Sequence, residues 1–178
     1  MNYSGEIPIF ASATGGDAPP KDKLIMKDLL FRYSELPLAG FLTEAARTKD
    51  RLIKYRLRPV TERLVLDLKD KGIFVSPSFN HVLDNYAIRH ILMKHANEKE
   101  ILRGQILVQL EDFLLLPEIV SSYDRLSLES RDGKTILAYC KSFADSTDYY
   151  FEELRSGRLE LAAVTFYKRK RKLTDANS

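Results

Sequence analysis

A chain of 178 residues with 44% hydrophobic content, nine Tyr and nine Phe can fill one globular core with an extension, but not two large cores. Its formal charge of +3 permits a polyanionic partner without demanding one, and its single cysteine excludes an internal disulfide framework and any multi-cysteine zinc site. No apolar run reaches the roughly 18–20 residues of a membrane span, and no secretory signal is read at the start. These features predict a soluble protein of a reducing compartment, most simply a bacterial cytoplasm, with no membrane partner.

Residues 1–22 mix Gly, Pro, Ala and Asp without periodicity and read as a flexible leader. The apolar positions Leu24, Ile25, Leu29, Leu30 and Tyr33 recur at helical spacing, and a second helix is expected from Phe41 to about Leu57. Residues 23–58 therefore form a helical extension in this reading. Pro59 suits the first turn of a helix whose stripe of Val60, Leu64, Val65 and Leu68 runs to Lys71, with Gly72 ending it. Ile73 to Val75 is a short strand candidate. Asp84 is placed to cap a helix through His95, and a further helical turn spans Glu98 to Arg103 before Gly104. Leu110 to Val120 reads as a short helix interrupted near Pro117.

From Asp124 the period changes from helical to alternating. Arg125 to Glu129, Thr135 to Phe143, Asp148 to Arg155 and Leu159 to Tyr167 read as four strands, with Asp132-Gly133 and Ser156-Gly157 as turns. The fold class is α+β: N-terminal helices followed by a four-stranded antiparallel β-meander, occupying residues 59–172 with a tail at 173–178.

Three clusters carry potential chemistry. His90 and His95 lie five apart, which on a helix separates them by about 140° and denies them a shared metal; no metal site is expected. Either can cap or pack the helix, and either can face a cleft at its C-terminus. Arg103, followed by Gly104, presents a cation suited to phosphate, or one that pairs with Glu98, Glu100 or Glu111. Thr165 and Tyr167 share one strand face and leave Phe166 on the other. Tyr139 with Lys141, and Tyr149 with Phe151, alternate in the same way, and Lys168 begins the basic run 168–172. An open sheet face lined by such residues suits stacking of RNA bases and gripping of phosphates. It is also compatible with any solvated antiparallel sheet. Cys140, in an apolar run, reads as a small core hydrophobe. Phosphate-loop and Gly-x-Ser-x-Gly motifs are absent from the sequence.

The blocks AIRHILMKH, EKEILRGQILVQLEDFLLLPEIV, TILAY, YYFEELRSGRLEL and TFYK, in this order from Asp84 to Lys168, resemble the phage-associated barnase–EndoU–colicin–RelE-like (BECR-fold) nucleases. The resemblance implies N-terminal helices followed by an antiparallel sheet, and RNA cleavage by 2′-hydroxyl attack without metal or other cofactor. It implies catalytic roles for His90, His95, Arg103, Thr165 and Tyr167, beside which the open sheet face and the basic run offer Lys141, Tyr139 and Lys168 as substrate contacts. Ala96 and Phe166 depart from the family pattern, which more often carries glycine and methionine there. RNA, including tRNA, is the implied partner. Residues 1–58 offer a surface for a phage structural or immunity protein, with packaging in a phage virion as a second location. The competing reading is a non-catalytic virion, cargo or interaction protein built on a nuclease-like fold.

Overall fold

Pro59 ends a strand rather than opening a helix. In a computed structural model of the protein, which describes residues 33–171, helix α1 (Leu38–Arg47) stops well short of Leu57, and strand β1 occupies Lys54–Pro59. The sequence carries the reason. Tyr55 and Leu57, which pack on the core, alternate with Lys54, Arg56 and Arg58, and that is the period of a strand. Helix α2 (Glu62–Lys69) begins three residues after Pro59, capped by Thr61, whose Oγ1 accepts from the Leu64 N–H at 3.2 Å. Gly72, at φ +78°, turns the chain out of it. Ile73 to Val75 form no strand; β2 (Asn80–Asp84) follows instead.

Asp84 caps helix α3 (Asn85–His95) as expected, accepting from the Ala87 N–H at 2.8 Å. A single turn, α4 (Lys99–Leu102), leads through Gly104 at φ +73° into the two-residue strand β3 (Gln105–Ile106). A 3₁₀ segment at Leu110–Leu115 runs into α5 (Leu116–Ser122). Pro117 therefore starts that helix rather than interrupting one, since its missing N–H costs nothing in a first turn. The expected meander is present as β4 (Arg125–Arg131), β5 (Lys134–Ser142), β6 (Ser146–Arg155) and β7 (Glu160–Lys170).

The four expected strands are part of a seven-stranded sheet of order β1-β2-β7-β6-β5-β4, with β3 also on β7. All pairings are antiparallel except β2 with β7. The α+β class holds, and three short strands enlarge the sheet beyond the meander. One face packs under the helices: Leu137, Tyr139, Tyr150, Leu161 and Phe166 meet Leu64, Ile88, Ile91, Phe113 and Ile119. The opposite face carries a smaller apolar cluster of Ile136, Ala138 and Phe151, flanked by Tyr149, Val164 and Tyr167. A bulge keeps both halves of β7 in phase with this division. Phe151 pairs with Thr165 and Glu152 with Ala163, so Val164 is an extra residue.

Packing does not begin at residue 59. Phe41, Leu42, Ala45 and Ile53 are buried in the same core as the meander. Tyr33, expected to end a helix, instead bridges to Lys54, and its hydroxyl donates to Glu160 at 2.5 Å. The Lys54 ammonium meets both Glu160 oxygens at 2.8 and 2.9 Å, with both side chains buried. A second buried pair joins His81 Nδ1 to Glu152 at 2.8 Å. The leader, the helix from Leu24 and the tail at 173–178 lie outside the described residues. Among those described, no helix is long and apolar enough to cross a membrane.

Candidate active site

Strand β7 is longer than either neighbour on its β2 side. There β2 pairs with Glu160 to Ala162 and β3 with Lys168 and Arg169, so neither pairs with residues 163–167. The last residue of α3 enters this gap. His95 places Nε2 3.2 Å from Thr165 Oγ1, and its ring centroid lies 5.8 Å from that of Tyr167. Helix α3 can deliver it because Ile88 and Ile91 anchor the helix in the core, leaving its C-terminus over the edge of the sheet.

The other side of the imidazole is held by a residue that the sequence reading offered only as one of three partners for Arg103. Glu100, buried on α4, places Oε2 3.0 Å from His95 Nδ1. Its Oε1 accepts from Arg103 Nη1 at 2.9 Å. A carboxylate only accepts hydrogen bonds, so Nδ1 is the nitrogen that carries a proton toward Glu100, and in the neutral ring Nε2 keeps its lone pair toward Thr165. Arg103 is the exposed member of this relay, with 71% of its side chain in solvent against 4% for Glu100. The carboxylate thus fixes a ring nitrogen on one side and an open guanidinium on the other. The i, i+3 spacing of Glu100 and Arg103 made their pairing legible. The tie from Glu100 back to His95 depends on the break between α3 and α4 and had no sequence signal.

Thr165 and Tyr167 lie opposite Phe166, as the alternation predicts, since Phe166 is fully buried among the helices. Tyr167 stacks on Tyr149, with centroids 4.9 Å apart and planes 15° from parallel, and lies 5.8 Å from Phe151. Burial pushes the Tyr167 hydroxyl above its ordinary pKa despite the neighbouring Arg169, so it stays a proton donor. Arg169 sits 5.7 and 5.6 Å from the Tyr149 and Tyr167 ring centroids, and Arg131 lies 5.3 Å from that of Phe151.

Five residues named from the sequence stand elsewhere in the structure than that reading expected. Tyr139 is wholly inside the core, Lys141 donates to the Ser122 carbonyl at 2.9 Å, and Lys168 pairs with Asp112 at 2.7 Å. All three stand on the helix-covered face, because the strand positions that share a face with Tyr149 and Tyr167 are 136, 138 and 140 on β5. Cys140 accordingly sits half-buried on the open face rather than in the main core. His90 is exposed on α3 and makes no hydrogen bond to the His95 cluster among the described residues. Partial burial, then Lys94 and His95, hold its pKa below the ordinary imidazole value. The open-face cations include Arg125 and Arg131, which the sequence reading did not single out, and Arg169 of the basic run, beside Lys134 and Arg155, which pair with Glu153. Among the described residues no group of three or more His, Cys, Asp or Glu has the geometry to hold a metal ion.

Residues 60–176, which are 117 of the 178, match the family described as phage-Barnase-EndoU-ColicinE5/D-RelE like nuclease3. The chain belongs to this nuclease family. The BECR-like segment contains α2 through β7, and with them the His95–Glu100–Arg103 relay and the whole open face of the meander. Nuclease membership makes nucleic acid the class of substrate for this BECR-like chain. Comparison with curated proteins and with solved structures yields no match.

Proposed function

We propose that this nuclease cleaves RNA without a metal, through attack of a ribose 2′-hydroxyl on the adjacent phosphorus, with His95 as the acid/base residue. The observation that carries the reading is the placement of His95. One ring nitrogen is held by Glu100 while the other faces the Thr165 hydroxyl, beside an exposed guanidinium. A neutral Nε2 takes the 2′-hydroxyl proton as O2′ bonds to phosphorus. The P–O5′ bond then breaks, leaving a 2′,3′-cyclic phosphate and a 5′-hydroxyl. Arg103 offsets the charge that builds on the phosphorane oxygens, where fixed cations and hydrogen bonds are most effective. Tyr167, kept protonated by burial, donates toward the departing 5′ oxygen, and Thr165 orients the phosphate.

The word phage in the family description supports a phage or mobile-element setting, in which a host RNA such as tRNA is the target. The test is incubation of the purified protein with total RNA and with a tRNA pool in EDTA, beside His95→Ala and Arg103→Ala proteins. Fragments ending in 2′,3′-cyclic phosphate from wild type, and loss of about 10²–10⁴ in rate for His95→Ala, are expected. Intact RNA from folded wild-type protein would remove the catalytic reading and favour a nuclease-like interaction module.

A further inference from the structure

The open face of the meander is not level. On β4 and β5 it is built from Ser127, Ala138 and Cys140, which are small; on β6 and β7 it rises to Tyr149, Phe151 and Tyr167. The step leaves a trough of about 370 Å³, a volume typical of small-ligand sites. Its wall is aromatic, and Arg125 lies at its rim with Glu129. Tyr167 belongs to both this wall and the surroundings of His95, so the trough and the reacting group adjoin through one side chain.

Ordinary sheet packing does not explain this surface. A solvated antiparallel face usually alternates polar residues outward, whereas here Phe151 and Ile136 are nearly buried on the side away from the helices. The aromatic rings are already aligned: Phe151, Tyr167 and Tyr149 run as one stack, with Arg131 at one end and Arg169 at the other. Arg131 is also paired with Glu129, through Nε at 2.9 Å, so Arg169 is the guanidinium at this stack whose cation–ring contacts carry the argument. A strand of nucleic acid matches the pattern, because its bases stack on aromatic faces while its phosphates seek cations spaced along them.

We propose that this trough is a base-binding subsite, which seats an unpaired nucleobase on the Ala138–Cys140 floor against Tyr149 and Phe151. Its backbone phosphate is directed to Arg125 or Arg169. The ligand class is single-stranded polynucleotide, because a base paired within a duplex cannot present its face to the wall. The proposal rests on the nuclease reading for the identity of its ligand and names the unpaired segment that reading leaves open. It places substrate selection on strand positions that do no chemistry.

The test separates stacking from charge. A 2′-O-methyl RNA octamer, which cannot undergo 2′-hydroxyl attack, is compared by fluorescence anisotropy with an abasic phosphodiester of equal length and charge. Wild type is expected to prefer the base-bearing strand at least about tenfold, within the range of one stacked base. Tyr149→Ala removes the wall and Ala138→Leu raises the floor, so each is expected to abolish the preference while leaving abasic binding unchanged. Ala138→Leu deletes no contact of the helix-side core; if either variant melts early, the other still decides. Equal binding of the two strands by wild type, or a preference that survives both substitutions, overturns the subsite. That failure is distinct from failure of the catalytic reading. Wild type that cleaves RNA without a base preference loses only the trough, and wild type that prefers bases but cleaves nothing loses only the chemistry.

Discussion

Replacing Glu100 by Gln tests the relay at the point least visible from sequence. The substitution keeps the shape of a side chain that is 4% exposed, and removes the charge shared between His95 and Arg103. The Arg103 side of the relay is 71% solvent-exposed, so losing that pair costs about 0–1 kcal/mol of stability. The His95 side is enclosed, with the imidazole 16% exposed, and a hydrogen bond to a charged group there contributes about 1.5–3 kcal/mol. In the reaction this bond grows stronger as the ring gains a proton, so the same range measures what the transition state loses. Divided by about 1.4 kcal/mol per decade, it gives a fall of roughly 10- to 150-fold in the cleavage step. The assay is single-turnover cleavage of a defined RNA, read beside thermal unfolding. The expected result is a rate loss of that size with a melting temperature lowered by no more than about 8–16 °C, from a summed loss of at most about 4 kcal/mol. Glu100→Asp, which retains the charge at shorter reach, should recover part of the rate. An unchanged rate in Glu100→Gln, alongside inactive His95→Ala, would show that His95 works without its carboxylate partner and would refute the relay.

Other outcomes follow from the placement of the remaining residues. Lys141→Met and Lys168→Met should keep cleavage well clear of the about 10²–10⁴ loss of an acid/base residue, because both ammonium groups serve helix-side contacts; a loss of that size in either would return them to the substrate. Lys54→Met removes the ammonium that meets both oxygens of the buried Glu160 and should cost about 3–5 kcal/mol, lowering the melting temperature by roughly 6–20 °C. The same cluster shapes the pH dependence of stability, measured as urea midpoints. Burial raises Glu160, but the hydrogen bonds of Lys54 and Tyr33 outweigh it and hold its pKa below the ordinary carboxylate value. Its contribution is therefore present above the unfolded pKa and lost as pH falls through the folded one, and Glu160→Gln should flatten the acid limb. Tyr33, pushed up to about 12 by burial and by Glu160, should contribute fully below its ordinary value of 10.0 and lose that contribution as pH rises toward 12. An alkaline limb identical in Tyr33→Phe would contradict this assignment.

What the sequence determined by itself was local. Asp84 and Gly104 mark where α3 begins and α4 ends, Asp132-Gly133 marks the β4–β5 turn, and the change to period two after Asp124 marks the meander. Each rests on backbone preferences that act within a few residues, so no partner strand is needed to read them. The blocks from Asp84 to Lys168 likewise carried the family, which the match over residues 60–176 bears out. The alternation in TFYK placed Thr165 and Tyr167 opposite Phe166 correctly, because Phe166 leaves no doubt about which parity is core.

Tertiary structure decided the rest. Tyr139 and Tyr149 are the same residue type on neighbouring strands, yet one is core and the other open; only the cross-strand register, Tyr139 opposite Tyr150 and Tyr149 opposite Cys140, assigns the faces. β2 and β3, five and two residues long, become strands because β7 offers them an edge, and the alternating residues of β1 become a strand by pairing in turn with β2. The meeting of His95 with Thr165 spans 70 residues and requires β7 to outrun β2 where α3 ends. Periodicity reports which way a side chain points from its own backbone. Which other backbone it then meets is set by long-range packing.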